Sequence, residues 1–172
     1  MYREQAEILA PFVDFYLCET MSSAAEARAA ATGAAALGKP VWVSWTLEDN
    51  GSRRLRSGER VKDAYWALED LPVSGFLVNC CSPESVTEAM PELVALGDWP
   101  VGGFANGFAE IPENWESGDG IETLDRRHDL DPDAYAGHVA DWLETGARLV
   151  GGCCEVGPKH IRRLRKVLDA AA

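Results

Sequence analysis

The feature that most constrains the fold is a regular alternation of short apolar runs with helical patterns. The runs are rich in Val, Phe, Leu and Trp and do not alternate cleanly with polar residues, which is typical of strands covered on both faces. Repeated β–α alternation predicts an α/β fold of parallel strands with right-handed crossovers. The five predicted strands are Phe12 to Cys18, Val41 to Leu47, Gly75 to Cys80, Val101 to Ala105 and Ala147 to Gly151.

Helix start and stop signals lie between these runs. Ser82 and Asp131 are each followed by proline, the pattern of an N-cap residue with proline at the first helical position. The segment Asn106 to Leu130 is acidic and Gly-rich, and we expect it to form a long loop after the fourth strand. The predicted helices are Ser22 to Leu37, Arg60 to Leu71, Ser82 to Leu96, one that begins at Asp131, and Pro158 to Ala170.

Two architectures fit this order of elements: an open doubly wound sheet, or part of a (β/α) barrel. No G-x-G-x-x-G and no G-x-x-x-x-G-K-[ST] motif occurs, so the nucleotide-binding versions of the open sheet lose support. The length of 172 residues predicts one domain spanning 1–172.

Charge and cysteine content narrow the class of protein. A formal net charge of −12 predicts that neither nucleic acid nor an anionic membrane surface is a partner, because such a field repels phosphate. No apolar stretch approaches the roughly 20 residues of a membrane span, and no signal peptide is apparent. Five cysteines without an export signal predict a reducing cytoplasm, where thiols more often bind metals or do chemistry.

Polar or thiol residues stand at the ends of four predicted strands. They are Glu19-Thr20, Asn79-Cys80-Cys81, Asn106-Gly107 and Gly151-Gly152-Cys153-Cys154. Active sites of parallel β/α proteins form at the carboxyl ends of the strands, so thiols from distant segments can converge there on one metal. Three thiolates with one open position describe a catalytic zinc site. Adjacent cysteines are poor co-ligands in a regular strand, but Gly151-Gly152 would let the backbone turn sharply before them.

Longer motifs around these residues resemble the homocysteine S-methyltransferase family. The segment Gly151 to Ile161, which reads GGCCEVGPKHI, closely resembles the C-terminal signature of that family, and Val78-Asn79-Cys80 resembles its other metal-ligand motif. Asp14 to Met21, Val43 to Arg60 and Asp131 to Gly152 are also similar, in the order of the family. The resemblance therefore covers essentially the whole chain.

The resemblance implies a zinc ion at the top of a (β/α)8 barrel, held by Cys80, Cys153 and Cys154. The zinc-bound thiol of homocysteine would attack a methyl group of a sulfonium, ammonium or cobalt donor, as in the betaine, S-methylmethionine and cobalamin-type enzymes. Glu19 matches the acidic residue that holds the homocysteine amino group. Asn79 and Asn106 match pocket positions near the metal.

The sequence departs from the family in two places. It begins at what resembles the fourth strand, so we expect an incomplete TIM-type barrel of about five of eight units, completed by a homodimer or by a chain that carries the missing half. Glu155-Val156-Gly157 also replaces the usual residues after the paired cysteines. The carboxylate of Glu155 would repel the negative charge of the three thiolates. The alternative is a non-enzymatic family remnant that binds zinc or a protein partner.

Other potential ligands have simpler interpretations. Cys18 lies within a strand and is expected to be a small core residue, and Cys81 should point away from Cys80. The three histidines, His128, His138 and His160, are expected to be structural or solvated because the thiol set is already complete.

Overall fold

The computed structural model describes residues 1–109, 118 and 120–171 and contains one five-stranded sheet flanked by helices. Single turns of 3-10 helix lie at Ala10–Phe12 and Ile121–Thr123. The strands are β1 Tyr16–Met21, β2 Val41–Trp45, β3 Val73–Asn79, β4 Val101–Phe104 and β5 Leu149–Val150, and the helices are α1 Tyr2–Leu9, α2 Ala24–Ala35, α3 Val61–Trp66, α4 Pro83–Val94, α5 Pro132–Thr145 and α6 Pro158–Ala171.

The strand order resolves the two architectures left open by the sequence. All neighbouring strands are parallel and follow one another as β1-β2-β3-β4-β5. A doubly wound sheet reverses its strand order at a switch point, whereas a barrel winds in one direction. The predicted α/β fold with five parallel units of an incomplete TIM-type barrel is therefore confirmed, and its sheet is open.

Helix starts follow the predicted capping residues. The side chain of Ser82 accepts a hydrogen bond from the Ser85 N–H, and Asp131 accepts from the Asp133 and Ala134 N–H groups. Small residues in α2 let this helix pack closely on the sheet and, at Gly33, on the backbone of α1. The buried positions of α2 are Ala24, Ala27, Ala30, Ala31, Gly33 and Ala34. None of the described helices is long and apolar enough to cross a membrane.

The first predicted strand was misplaced. Phe12 ends a 3-10 turn and is 83% exposed, and β1 begins at Tyr16 and continues to Met21. Apolar character alone does not mark the strand here, because pairing with β2 starts only where the Tyr16 N–H donates to the Pro40 carbonyl. The shift places Glu19 and Thr20 inside the strand, near its carboxyl end.

The second predicted helix, Arg60 to Leu71, was too long. α3 ends at Trp66, five residues before Leu71. The guanidinium of Arg28 accounts for this, since it donates to the Ala67 carbonyl and to both carboxylate oxygens of Asp70. The fifth predicted strand is also shorter than expected, because only Leu149–Val150 has regular strand pairing.

One face of the sheet is apolar at one end and polar at the other. Cross-strand partners share a face, as do residues two apart in a strand. The strand register therefore defines the face opposite α2. Its apolar residues are Leu17, Trp42, Leu77 and Leu149. Closer to the carboxyl ends of the strands, the same face carries Glu19, Ser44 and Asn79. This concave face leads directly to the cysteines.

The long loop after β4 is fixed at its base. Phe108 forms an antiparallel bridge with Arg126, and the Arg127 N–H donates to the Gly107 carbonyl. Residues 110–117 and 119 of the predicted Asn106 to Leu130 loop lie outside the described residues.

Candidate metal centre

Three cysteine side chains from distant parts of the chain meet at the carboxyl end of the sheet. The Sγ atoms of Cys80, Cys153 and Cys154 all lie within 4.8 Å of one another, and those of Cys153 and Cys154 are 3.9 Å apart. All three side chains are half-buried and none is in a disulfide. Tetrahedral Zn–S bonds of about 2.3 Å place sulfurs about 3.8 Å apart, so only small movements separate this arrangement from a metal site.

Cys80 reaches this cluster because the backbone turns at the end of β3. Its φ is +52°, in the left-handed region that residues with a Cβ seldom occupy. The Cys80 N–H donates to the Phe104 carbonyl at 3.2 Å, and the Cys80 carbonyl accepts from the Thr46 hydroxyl at 3.1 Å. These bonds hold the turn in place. Cys81, the next residue, is fully buried in the core.

Cys153 and Cys154 lie in a turn beyond β5, so the alternation of side chains in a strand does not separate them. The Cys153 N–H donates to the Ala105 carbonyl at 2.9 Å, and the Gly107 N–H donates to the Cys154 carbonyl at 2.8 Å. Glu155 turns the chain with a φ of +63°.

Gly152 serves this turn differently from the sequence-based expectation. It has no positive φ. A Cβ at this position would lie 2.1 Å from Val156 Cγ1, so the glycine is required for close packing within the turn.

The thiols influence one another's ionisation. A hydrogen bond from the Cys80 thiol lowers the pKa of Cys153, and the same contact, together with burial, raises the pKa of Cys80. Burial is the main cause that raises the pKa of Cys154, and the negative charge of Cys153 adds to it. Without a metal, one thiolate is thus stabilised by its protonated neighbours. A divalent cation would replace those protons and stabilise all three thiolates.

Glu19 lies at the rim of the same site. Its side chain is exposed, and its carboxylate is close enough for its charge to oppose ionisation of Cys153 by raising the pKa of that thiol. None of the described basic side chains forms an ion pair with Glu19. An acid in this environment can bind a cationic group of a ligand.

Asn79 ties three strands together beneath the rim. Its Oδ1 accepts from the Thr20 N–H at 3.1 Å and from the Ser44 hydroxyl at 2.6 Å, and its Nδ2 donates to Thr20 Oγ1 at 2.8 Å. Thr20 has a φ of +63°, rare for a β-branched residue, and the amide of Asn79 stabilises that conformation. No local sequence signal indicates this role for Thr20, because its φ and its partner both depend on residues far away in the chain.

The side-chain amide of Asn106 is buried close to the cysteine cluster. The residue is 1% exposed, its Oδ1 accepts from the Phe108 N–H, and its Nδ2 has no partner among the described residues. Its backbone lies between the two arms of the cysteine cluster, because the Asn106 N–H donates to the Cys81 carbonyl and the next residue, Gly107, donates to Cys154. A buried amide without a partner is costly, so a ligand here would gain a preformed donor.

The other cysteines and histidines do not join the cluster. Cys18 packs against the core, and burial raises its pKa to about 11. His160 accepts at Nδ1 from the Gly157 N–H, and its Nε2 faces the Leu130 carbonyl. His138 lies 3.7 Å from a Glu84 carboxylate oxygen, and His128 is exposed. Within the described residues, the three thiols alone form a group that can hold a metal.

The donor set fits a soft or borderline cation. Three thiolates leave one tetrahedral position open, as in catalytic zinc sites, and a hard cation such as Mg²⁺ prefers oxygen.

Sequence comparison places the chain beside known methyltransferases. A family model described as homocysteine S-methyltransferase matches residues 1–168. The homocysteine S-methyltransferase of Escherichia coli (strain K12) is 29% identical over 154 residues, which are 88% of this chain and 47% of the relative. The selenocysteine methyltransferase of Astragalus bisulcatus is 26% identical over 135 residues, 76% of this chain and 37% of the relative. The chain therefore spans less than half the length of these relatives.

The solved structures that resemble this chain include a homocysteine methyltransferase. The apo form of the homocysteine methyltransferase MmuM from Escherichia coli matches with a TM-score of 0.71 and 26% identity, over 96% of this chain and 55% of that one. Its metallated form matches with a TM-score of 0.74 and 25% identity, over 96% and 51%. The five parallel units correspond to part of the MmuM barrel.

Proposed function

The chain belongs to the homocysteine S-methyltransferase family, and from this premise we propose that it takes part in zinc-dependent transfer of a methyl group to the thiol of homocysteine, giving methionine. The observation that carries the proposal is the convergence of the Cys80, Cys153 and Cys154 sulfurs within 4.8 Å at the carboxyl end of the sheet. The metallated form of the E. coli relative supports a metal in this family. The thiol donor set favours zinc.

The three cysteines would hold the ion and leave its fourth position to the substrate. When bound, zinc would lower the pKa of the acceptor thiol, so that this nucleophile is present as a thiolate at neutral pH. Half-burial of the cysteine side chains limits the water that competes for the fourth position. The methyl donor would approach from the open side of the site.

Glu19 would bind the ammonium group of homocysteine. Its carboxylate has no described cationic partner and lies within electrostatic range of the Cys153 sulfur. An ion pair at this point orients the substrate so that its thiol reaches the metal position. Charge-assisted hydrogen bonds of this kind are roughly twice as strong as neutral ones.

The two asparagines would complete the pocket. Asn106 offers an Nδ2 group that has no partner within the described part of the chain and is suited to an oxygen of the substrate carboxylate. Asn79 uses one of its two Nδ2 protons on Thr20, which leaves the second for a ligand. Asn79 also fixes Thr20, and therefore the neighbouring Glu19, relative to β3.

A second polypeptide or self-association would complete the barrel. The relatives are about twice as long as this chain, and both sheet edges, β1 and β5, lack a further neighbour among the described strands. Five free cysteines favour a reducing cytoplasm as the compartment.

The open sheet and the length of the chain relative to its relatives also favour one alternative function. An open sheet that spans half the length of its relatives is also what a non-enzymatic family remnant would show, one that binds zinc or a protein partner without methyl transfer. The two functions differ in their response to homocysteine.

Three measurements on the purified reduced chain distinguish them. We expect about one zinc per chain, a change in the absorption of the Co²⁺-substituted protein on adding homocysteine, and methionine formed from homocysteine with a sulfonium or betaine donor. Zinc binding without either response to homocysteine favours the remnant. A chain that retains no zinc under reducing conditions contradicts the proposed function and leaves only a remnant that binds a protein partner.

A further inference from the structure

The hydroxyl of Tyr135 lies between two strands where a backbone hydrogen bond belongs. Tyr135 is on α5 and its side chain is fully buried. Its hydroxyl oxygen accepts from the Ala105 N–H at 3.0 Å. Its single proton is donated to the Gly151 carbonyl at 2.8 Å, which is closer than the Ala105 carbonyl at 3.4 Å.

The surrounding pattern shows which bond is replaced. In a parallel pair of strands, the N–H of a residue donates to the carbonyl of one residue in the neighbouring strand. The carbonyl of the same residue accepts from the N–H that lies two residues further along that neighbouring strand. The Gly151 N–H donates to the Gly103 carbonyl at 3.3 Å, so its carbonyl would accept from the Ala105 N–H. The hydroxyl of Tyr135 bridges those two groups instead. Beyond it, the Cys153 N–H donates directly to the Ala105 carbonyl at 2.9 Å.

The two strands are close together on the other side of this insertion. A Cβ at Gly102 would lie 1.7 Å from the Leu149 carbonyl oxygen, so only glycine permits the approach there. β4 and β5 therefore approach closely at Gly102, and just beyond both strands the hydroxyl of Tyr135 lies between the Ala105 N–H and the Gly151 carbonyl. Regular pairing of β5 ends at Val150, just before the inserted hydroxyl.

Both arms of the cysteine cluster depend on the same end of β4. The Cys80 N–H donates to the Phe104 carbonyl, and the Cys153 N–H donates to the Ala105 carbonyl. The spacing between β4 and the chain at Gly151 thus sets how far Cys153 lies from Cys80.

We propose that Tyr135 is a positioning residue for the metal centre, whose hydroxyl acts as a spacer between β4 and the paired-cysteine turn. This inference rests on the proposed metal site. A second contact supports this role. The ring of Tyr135 packs edge-on against the imidazole of His160, with 5.9 Å between the ring centroids. His160 in turn accepts a hydrogen bond from the Gly157 N–H, in the segment that follows the cysteines. One side chain therefore contacts the chain both before and after the ligand pair.

The test replaces Tyr135 by Phe, which removes the hydroxyl and keeps the ring. We expect zinc affinity, measured by competition with a chromophoric chelator, to fall about ten- to hundredfold, as for other residues that orient metal ligands. The thiolate-to-metal and d–d bands of the Co²⁺-substituted protein should also change, because the sulfur positions change.

Tyr16→Phe is the matched control. It also loses one buried tyrosine hydroxyl bond to a backbone carbonyl, that of Ala6 at 2.8 Å, at the far end of the sheet. A purely structural effect would alter thermal unfolding in both variants and leave zinc affinity and the Co²⁺ spectrum unchanged in both.

If Tyr135→Phe leaves both the zinc affinity and the Co²⁺ spectrum unchanged, the spacer role of Tyr135 is wrong. The proposed function is not affected by that result. Failure of the wild-type chain to bind zinc overturns the proposed function itself. If Tyr135→Phe does not fold, amide hydrogen exchange of the wild-type chain decides. Zinc should slow exchange at Ala105 more than at Phe76, a core strand amide bonded to Pro100. Equal slowing at both amides contradicts the spacer.

Discussion

Cys80 and Cys81 are neighbours in the chain and lie in different environments. Cys80 is half-buried beside two other thiols, whereas Cys81 is fully buried, and burial raises its pKa to about 12. The left-handed backbone at Cys80 directs the first side chain into the site and the second into the core.

This contrast allows a direct test of the ligand set. Cys80→Ser should abolish zinc retention, because a serine hydroxyl is a poor zinc ligand and two thiolates remain. Cys81→Ala should retain about one zinc per chain and lose about 1 kcal/mol of unfolding free energy from the shortened core side chain. Zinc content after gel filtration and urea unfolding measure the two effects. Full zinc occupancy in Cys80→Ser would show that the ligand assignment is wrong.

A variant of Glu19 tests the proposed substrate contact separately from metal binding. Glu19→Gln keeps the size of the side chain and removes its charge, so it should weaken homocysteine binding about tenfold or more, the strength of a hydrogen bond to a charged group. Zinc content should stay at the wild-type level. A homocysteine titration of the Co²⁺-substituted protein measures the affinity. Equal affinities of variant and wild type would remove Glu19 from the substrate site.

At the scale of elements, α2 is held at its start by the loop after β2. The carboxylate of Glu59 accepts from the Ser57 hydroxyl at 2.6 Å and from the Ala24 N–H at 2.9 Å. These two hydrogen bonds, the one from Ser57 first, lower the pKa of Glu59 below its ordinary value of 4.5. The start of α2 follows β1, so this contact lies directly after the strand that carries Glu19.

The lowered pKa of Glu59 gives a pH-dependent stability. Because the carboxylate form is favoured in the folded state, its stabilising effect is complete above pH 4.5 and is lost as the pH falls below that value. Glu59→Gln should therefore cost about 1 kcal/mol of unfolding free energy at pH 7 and much less in acid. Urea unfolding at several pH values measures the difference. The exposed Glu69→Gln is the control, and an equal loss in both variants would contradict the role of Glu59.

At the scale of the whole molecule, the sheet is open where a barrel would close. The concave row Leu17, Trp42, Phe104 and Leu149 is only half-buried. α1 packs beside α2 but leaves a groove of about 360 Å³ next to β1, lined by residues that include Ala6, Leu9, Tyr16, Cys18 and Ala34. Unpaired strand edges and exposed apolar surface both favour association in water.

We therefore expect at least a dimer at micromolar concentration by analytical ultracentrifugation. Leu17→Glu places a charge on the concave face beside the free edge and should weaken association about tenfold or more, since a charge buried in an apolar contact is costly. Trp66→Glu is the control, because Trp66 is 49% exposed on α3, away from that face. A monomer that unfolds cooperatively would contradict this prediction and would indicate that the chain covers its own open face.

The sequence by itself determined the order of elements and the chemistry available to the site. Proline after Ser82 and Asp131, and the apolar runs of β2, β3 and β4, are local signals, so the helix starts and those strands could be predicted from nearest neighbours in the chain. The cysteine motifs likewise identified the three thiols that the fold brings together.

Only the tertiary structure decided where β1 begins, where α3 ends and how the cysteines are oriented. β1 begins where Pro40 offers a carbonyl, and α3 ends where Arg28 binds Ala67 and Asp70. The amide of Asn79 fixes Thr20 across 59 residues, and the Tyr135 hydroxyl enters the β4–β5 ladder from 30 residues away. Each of these depends on a contact between residues far apart in the chain, which leaves no pattern in the local sequence of either partner.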